Sequence, residues 1–145
     1  MADGYVVEAA GVTKRFRDSR GGALLTAVDC LDIRAARGKM TALIGPDGAG
    51  KTTFLRMVCG LMFPTEGILS VLGISVADKP ADVQRRLGYM PQKFGLYEDL
   101  TCMENMNLYA DLHGISAEER KERFEKLFHM TGLAPFAQRL ACLLY

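Results

Sequence analysis

The sequence predicts an α/β core followed by a small α-helical subdomain. Three observations support this fold class. A glycine-rich loop at residues 45–53 stands between a short apolar run and a helix-like run. Strand-like runs flank this unit on both sides. Two helix-capping sequences then open two helices in the last part of the chain. At 145 residues the chain has the length of one ordinary domain and can bury a sizeable core.

The elements before the loop are predicted strands. Residues 5–12 and 28–33 are rich in β-branched and apolar side chains, and the polar, glycine-ending segment 17–22 between them is typical of a turn. Residues 40–44, Met-Thr-Ala-Leu-Ile, are almost wholly apolar. This pattern favours a strand that is buried on both faces of a parallel sheet.

The elements after the loop continue the core. Residues 51–61 carry apolar side chains at helical spacing and are predicted to form a helix that ends near Gly60 and Pro64. Residues 67–72 are predicted to form a strand, residues 81–87 a short basic helix, and residues 88–90 another strand. The order of strand, glycine turn and helix is the context in which a phosphate-binding loop functions.

The character of the sequence changes after Leu96. Thr101 with Glu104, and Ser116 with Glu119, form two capping boxes that each open a helix. The apolar faces of these helices are predicted to be Met103, Met106, Tyr109 and Ala110 on the first, and Phe124, Leu127, Phe128 and Thr131 on the second. We therefore expect two parts, residues 1–96 as the α/β core and residues 97–145 as the helical subdomain.

Composition argues against several classes of protein. Eighteen basic and seventeen acidic residues leave a net charge of +1 without a block of like charge, so nucleic acid is not an expected partner. The four cysteines are widely spaced and form no C-x-x-C pair, which gives no indication of a zinc site or a disulfide framework. The N-terminus lacks the basic segment of a secretory signal, and no apolar run approaches the roughly 18 residues that span a bilayer.

The chemistry of the loop lies in its backbone. The pattern GxxxxGK[ST] is met by Gly45, Gly50, Lys51 and Thr52, and Gly48 adds a further glycine. Successive N–H groups of such a turn, together with those at the N-terminus of the following helix, donate hydrogen bonds to phosphate oxygens. Lys51 is expected to contact the β- and γ-phosphates, and the Thr52 hydroxyl to complete the shell of a Mg²⁺ ion. The sequence thus predicts binding of a nucleoside triphosphate with Mg²⁺.

The predicted phosphate-binding residues are Gly45, Pro46, Asp47, Gly48, Ala49, Gly50, Lys51, Thr52 and Thr53. Asp47 is an acidic side chain beside phosphates, which is unfavourable unless it points away from them. Because it stands in the middle of the loop, where that orientation is possible, we expect a modest effect on affinity.

A second motif makes the prediction more specific. Residues 87–101 read Leu-Gly-Tyr-Met-Pro-Gln-Lys-Phe-Gly-Leu-Tyr-Glu-Asp-Leu-Thr. Together with the loop, this segment resembles the nucleotide-binding domain of ABC transporters, and most of all the ATP-binding subunits of bacterial ABC-2-type multidrug and cation exporters. The resemblance runs from Thr13 to about Leu140. It implies an incomplete P-loop NTPase core of the RecA-like type, which binds ATP and Mg²⁺.

The resemblance also implies roles for residues and partners. Phe16 matches the aromatic side chain that stacks on adenine, and Gln92 matches the glutamine that reaches Mg²⁺ and the attacking water. Lys51 and Gln92 are therefore the expected catalytic residues. Residues 93–101 would face the coupling helices of a membrane-spanning permease subunit, and a second nucleotide-binding domain would complete a dimer. Such a subunit is cytoplasmic and lies at the inner face of the cell membrane.

Three parts of this family's catalytic machinery are absent from the sequence: an LSGGQ-like signature, an apolar strand that ends in Asp-Glu, and a later histidine. Without those acidic residues we expect very slow hydrolysis, and the chain resembles a truncated cassette. One alternative is a non-catalytic nucleotide-binding module. Another is a different P-loop enzyme, such as a small GTPase or a nucleotide kinase, although neither Asn105 nor Asn107 begins the N-K-x-D motif of a GTPase.

Overall fold

The computed structural model of the chain describes residues 4–17, 22–92 and 95–143. These residues form two compact units, Met1–Tyr89 and Met90–Tyr145, which are named here the N-terminal unit and the helical unit. Most of the predicted turn at residues 17–22 lies outside the described residues, as do the two residues that follow Gln92.

The N-terminal unit contains a four-stranded antiparallel sheet. Its strands are β1 (Tyr5–Arg17), β2 (Leu24–Ala36), β3 (Glu66–Val71) and β4 (Ile74–Ser75), in the spatial order β2-β1-β3-β4. The three strands predicted at residues 5–12, 28–33 and 67–72 are confirmed. The short strand β4 was not predicted, because two residues carry no measurable alternation pattern.

Two helices pack against this sheet. Helix α1 (Lys51–Val58) follows the glycine-rich loop, and α2 (Pro80–Gln84) follows β4. Both are shorter than predicted, since α1 stops before the Gly60 and Pro64 that were expected to limit it. The buried core joins both helices to all three long strands and comprises Ala9, Val12, Val28, Phe54, Met57, Leu69, Val71, Val76 and Val83. This core holds the start of α1, and with it the loop, against the sheet.

Two predicted strands are wrong. Residues 40–44 have no regular structure, and Met40 and Ile44 are 100% and 90% exposed. Residues 88–90 likewise form no strand. A strand requires a neighbour for its backbone N–H and C=O groups, and none of the four strands in the described ranges pairs with either segment. Apolar sequence alone cannot supply that neighbour.

The helical unit consists mainly of α3 (Cys102–Leu112) and α4 (Ala117–Thr131), followed by short 3₁₀ turns at Ala134–Phe136 and Ala141–Leu143. Both capping boxes are confirmed. In the first, the amide N–H of Glu104 donates to Thr101 Oγ1 at 3.1 Å and the amide N–H of Thr101 donates to Glu104 Oε2 at 2.8 Å. An isolated bridge between Thr101 and Leu140 ties the end of the chain to the start of α3.

An apolar cavity of about 540 Å³ lies between α3 and α4. Most of the predicted helix faces line it, namely Met106, Tyr109, Ala110, Phe124, Leu127, Phe128 and Thr131. Met103 lies instead around a neighbouring depression with Phe124 and Phe128. Among the described residues, no helix combines the length and the apolar character needed to cross a membrane.

Candidate functional site

The glycine-rich loop ends in a helix whose N-terminus is open. Gly48 and Gly50 adopt left-handed conformations with φ of 79° and 83°, and α1 begins at the next residue, Lys51. No side chain caps this helix, and its first internal hydrogen bond runs from the Phe54 amide to the Gly50 carbonyl at 2.9 Å. The amide N–H groups of the first turn therefore have no partner within the helix, and the positive end of its dipole attracts an anion.

Gly50 cannot be replaced without moving the backbone. A Cβ atom at this position would lie 2.1 Å from the carbonyl oxygen of Ala27 in β2, in addition to the strain of a positive φ. Gly48 also has a positive φ, but a Cβ there would meet no atom within 4 Å. The loop is thus seated directly on β2 at Gly50, whereas Gly48 is needed only for its conformation.

The Lys51 side chain crosses the loop. Its ammonium group donates to the carbonyl oxygens of Gly45 at 2.7 Å and Pro46 at 2.6 Å, the first two residues of the loop. An ammonium group has three N–H donors, so two hold the loop closed and one remains for a phosphate oxygen. The charge of Lys51 is consequently fixed beside the open helix N-terminus.

The other loop residues are accessible. Pro46, Asp47, Ala49 and Thr52 are exposed, while Thr53 is half-buried in the first turn of α1. Within the described ranges, no group of three or more histidine, cysteine or acidic side chains could hold a metal ion. Of the two predicted Mg²⁺ ligands, Thr52 and Gln92, only Thr52 lies in this loop, and its side chain is exposed.

The sheet brings Phe16 towards the loop. Phe16 is half-buried near the end of β1 and pairs with Leu25 of β2. Leu25 stands two residues before Ala27, whose carbonyl abuts Gly50. Two residues along a strand span about 7 Å, and neighbouring strands are about 5 Å apart. Phe16 therefore lies at the same end of the β1–β2 pair as the strand position that contacts Gly50.

Gln92 belongs to the helical unit, where it is exposed. Its expected role at Mg²⁺ remains a prediction.

Sequence reasoning missed Asn105, which organises the segment after Gln92. Asn105 is only 2% exposed, and its amide donates to the carbonyl oxygens of Tyr97, Leu100 and Thr101 at 2.9–3.2 Å. Its Oδ1 accepts the amide N–H of Tyr97 at 2.8 Å. Four hydrogen bonds from one buried side chain fix the shape of this segment. The sequence signal that could have revealed Asn105 is a polar residue at helical spacing within the apolar face of α3.

Comparison with known protein families identifies the chain. The family described as ABC transporter matches residues 28–143, which include the loop, Gln92 and nearly all of the helical unit. The chain belongs to the ABC transporter family. The family resemblance that the loop and the Gln92 segment indicated is thus confirmed.

Individual relatives of this ABC transporter chain are ATP-binding proteins. The probable multidrug ABC transporter ATP-binding protein YbhF of Escherichia coli K12 is 48% identical over 136 residues, which are 94% of this chain and 23% of the relative. The ABC transporter ATP-binding protein NatA of Bacillus subtilis is 32% identical over 88% of this chain and 51% of its own length. The chain therefore spans about a quarter to a half of these curated relatives.

Solved structures confirm the predicted fold class. A dimeric ATP-binding cassette, MJ0796, in a post-hydrolysis state with ADP and phosphate has a TM-score of 0.83 and 28% identity over 96% of this chain and 63% of that cassette. An ATP-binding subunit of an ABC transporter has a TM-score of 0.77 and 28% identity over 97% of this chain and 56% of the subunit. The fold is part of the P-loop cassette, with a small helical portion.

Proposed function

We propose that the chain is the ATP-binding part of an ATPase subunit of an ABC-type export system, and that residues 45–53 bind the phosphates of Mg-ATP. The observation that carries the proposal is the loop itself. Left-handed glycines lead into an uncapped helix N-terminus, and the ammonium group of Lys51 is held across the loop with one donor to spare. These are the requirements for binding a chain of phosphates.

Each group has a distinct task in this proposal. The amide N–H groups of the loop and of the first turn of α1 donate hydrogen bonds to phosphate oxygens, and Lys51 adds a charged hydrogen bond to the β- and γ-phosphates. The Thr52 hydroxyl is one ligand of Mg²⁺, which neutralises charge on the phosphates when bound. Gln92 is a further ligand of Mg²⁺ in the complete protein. Phe16 supplies a flat surface for the adenine ring.

The proposed export function is inferred from the functions that the names of the relatives state. YbhF is described as a multidrug transporter component, and MJ0796 as a dimeric cassette. We infer that the complete protein pairs with a second nucleotide-binding domain and with membrane-spanning permease subunits at the cytoplasmic face of the membrane. The hydrogen bonds of Asn105 fix the shape of residues 97–101. A fixed shape lowers the entropy cost of binding a partner, which supports a docking role for this segment.

Nucleotide binding tests the proposal directly. The Kd for Mg-ATP is measured by calorimetry for the purified chain, for Lys51→Met and for Lys39→Met, a matched exposed lysine outside the loop. Lys51→Met removes a charge-assisted hydrogen bond to phosphate and is expected to weaken binding at least about tenfold. Lys39→Met is expected to leave the Kd unchanged. Equal affinities of Lys51→Met and the unchanged chain would contradict the proposed site.

Turnover separates this proposal from a non-catalytic nucleotide-binding module. Phosphate release by the unchanged chain is compared with release by Lys51→Ala at saturating Mg-ATP. Hydrolysis clearly above the variant excludes the non-catalytic module as a description of this chain.

A further inference from the structure

Lys14 and Phe16 form a pair on one face of β1. They are two residues apart in the strand, so their side chains project from the same side of the sheet. The Lys14 ammonium lies 5.3 Å from the centroid of the Phe16 ring. A cation at this distance is attracted by the negative face of an aromatic ring. One face of Phe16 is therefore associated with a positive charge.

The position of Lys14 is fixed by a second contact. Its ammonium donates to the carbonyl oxygen of Phe63 at 2.8 Å, in the segment between α1 and β3. The same segment is bonded to β1 on both sides of Lys14, since the Thr65 amide donates to the Thr13 carbonyl at 2.8 Å and the Arg15 amide donates to Thr65 Oγ1 at 3.0 Å. The Thr65 bonds hold this segment against β1, and the bond to Phe63 anchors the Lys14 ammonium beside the Phe16 ring.

We propose that Lys14 is a positioning residue for the nucleotide base. It covers one face of Phe16 and fixes the orientation of the ring, so that the base stacks on the opposite face. The charge also draws π-electron density towards the covered face, which reduces the repulsion between the other face and the electron-rich base. This inference rests on the proposed function, with Phe16 as the base platform, and adds a residue that acts through Phe16 without touching the phosphates.

The molecule offers a matched control pair. The Arg34 guanidinium lies 5.3 Å from the centroid of the Tyr5 ring, at the other end of the β1–β2 hairpin. Arg34→Met removes a cation from an aromatic ring at the same distance and on the same sheet, but from a ring with no proposed role in binding. A loss of affinity that comes only from weakening the sheet would appear in Arg34→Met as well as in Lys14→Met.

The test compares two ligands that share their phosphates. Kd values for Mg-ATP and for Mg-tripolyphosphate, which has no base, are measured for the unchanged chain, Lys14→Met, Lys14→Arg and Arg34→Met. Lys14→Met keeps the aliphatic stem and is expected to weaken ATP binding about two- to fivefold while tripolyphosphate binding is unchanged. Lys14→Arg retains the cation and is expected to restore ATP affinity. Arg34→Met is expected to leave the Kd values of both ligands unchanged.

A double-variant cycle makes the inference independent of folding effects. In a Phe16→Leu background, Lys14→Met is expected to cause no further loss of ATP affinity, because the charge no longer acts on a ring. Equal weakening of both ligands by Lys14→Met, no weakening of either, or the same loss in the Phe16→Leu background would overturn the role of Lys14. Failure of the unchanged chain to bind either ligand would instead contradict the proposed function.

Discussion

The segments on the two sides of the glycine-rich loop differ in structure. Residues 40–44, before the loop, are apolar and were predicted to form a buried strand, yet they have no regular structure and Met40 is fully exposed. Helix α1, after the loop, forms where a helix was predicted, although it ends earlier, at Val58, and its Met57 is fully buried. Both segments are short, and both contain apolar side chains. They differ in where their backbone hydrogen bonds must come from.

A helix satisfies its own backbone, whereas a strand depends on a neighbour. Helix α1 also finds an apolar surface on β1, β2 and β3, all of which the described residues contain. For residues 40–44, no pairing strand exists in the described ranges. The contrast shows that the loop and α1 keep their conformation without regular structure in residues 40–44.

The largest expected effect on stability comes from Gly50, where the loop contacts β2. Gly50→Ala places a Cβ atom against the Ala27 carbonyl and adds left-handed strain of about 1–2 kcal/mol. Gly48→Ala adds the strain alone, because the space around it is open. We expect Gly50→Ala to lower the free energy of unfolding by clearly more than Gly48→Ala, as measured by urea titration with circular dichroism. Equal losses would mean that the contact with β2 does not hold the loop.

A pair of methionines tests the two sides themselves. Met57→Ala empties a fully buried position on α1 and is expected to cost about 2–5 kcal/mol of unfolding free energy. Met40→Ala removes the same side chain from a position that is 100% exposed and is expected to change stability by less than about 0.5 kcal/mol. Urea titration of both variants gives the comparison. A large loss for Met40→Ala would show that residues 40–44 are packed in solution.

The smallest expected effect lies in α3, whose N-terminus is satisfied locally. The amide N–H and the hydroxyl of Thr101 both donate to the exposed Glu104 carboxylate and lower the pKa of this group below its ordinary value of 4.5. The amide N–H makes the larger contribution to the lower pKa. Because the folded pKa is the lower one, the stabilisation is complete above pH 4.5 and is lost as the pH falls through the folded pKa. The Glu104→Gln variant has no carboxyl group at this position, so its charge there does not change with pH.

Thermal unfolding between pH 7 and pH 3 measures this contribution. The melting temperature of the unchanged chain is expected to exceed that of Glu104→Gln slightly at pH 7, and the difference is expected to vanish at the acidic end. A difference that stays constant across the range would show that the carboxylate charge does not stabilise the cap.

How far the sequence predicted the molecule depends on the range of the interactions. The capping boxes at Thr101 and Ser116 were predicted and confirmed, since each involves residues three positions apart. The family was recognised from the loop and from the segment around Gln92, both contiguous motifs. The buried amide of Asn105 and the contact of Lys14 with Phe63 were not predicted, because their partners are set by how segments fold back on one another.

The sequence by itself determined the glycine-rich loop, the helix that follows it and the family to which the chain belongs. These features depend on glycine conformations, on helix periodicity and on spacing along the chain, all of which are local. Only the tertiary structure decided that residues 40–44 pair with none of the described strands, that Gly50 rests on β2 and that Lys14 lies over Phe16. Each of these results depends on which backbone or side chain lies opposite, and that is determined by the pairing of distant segments.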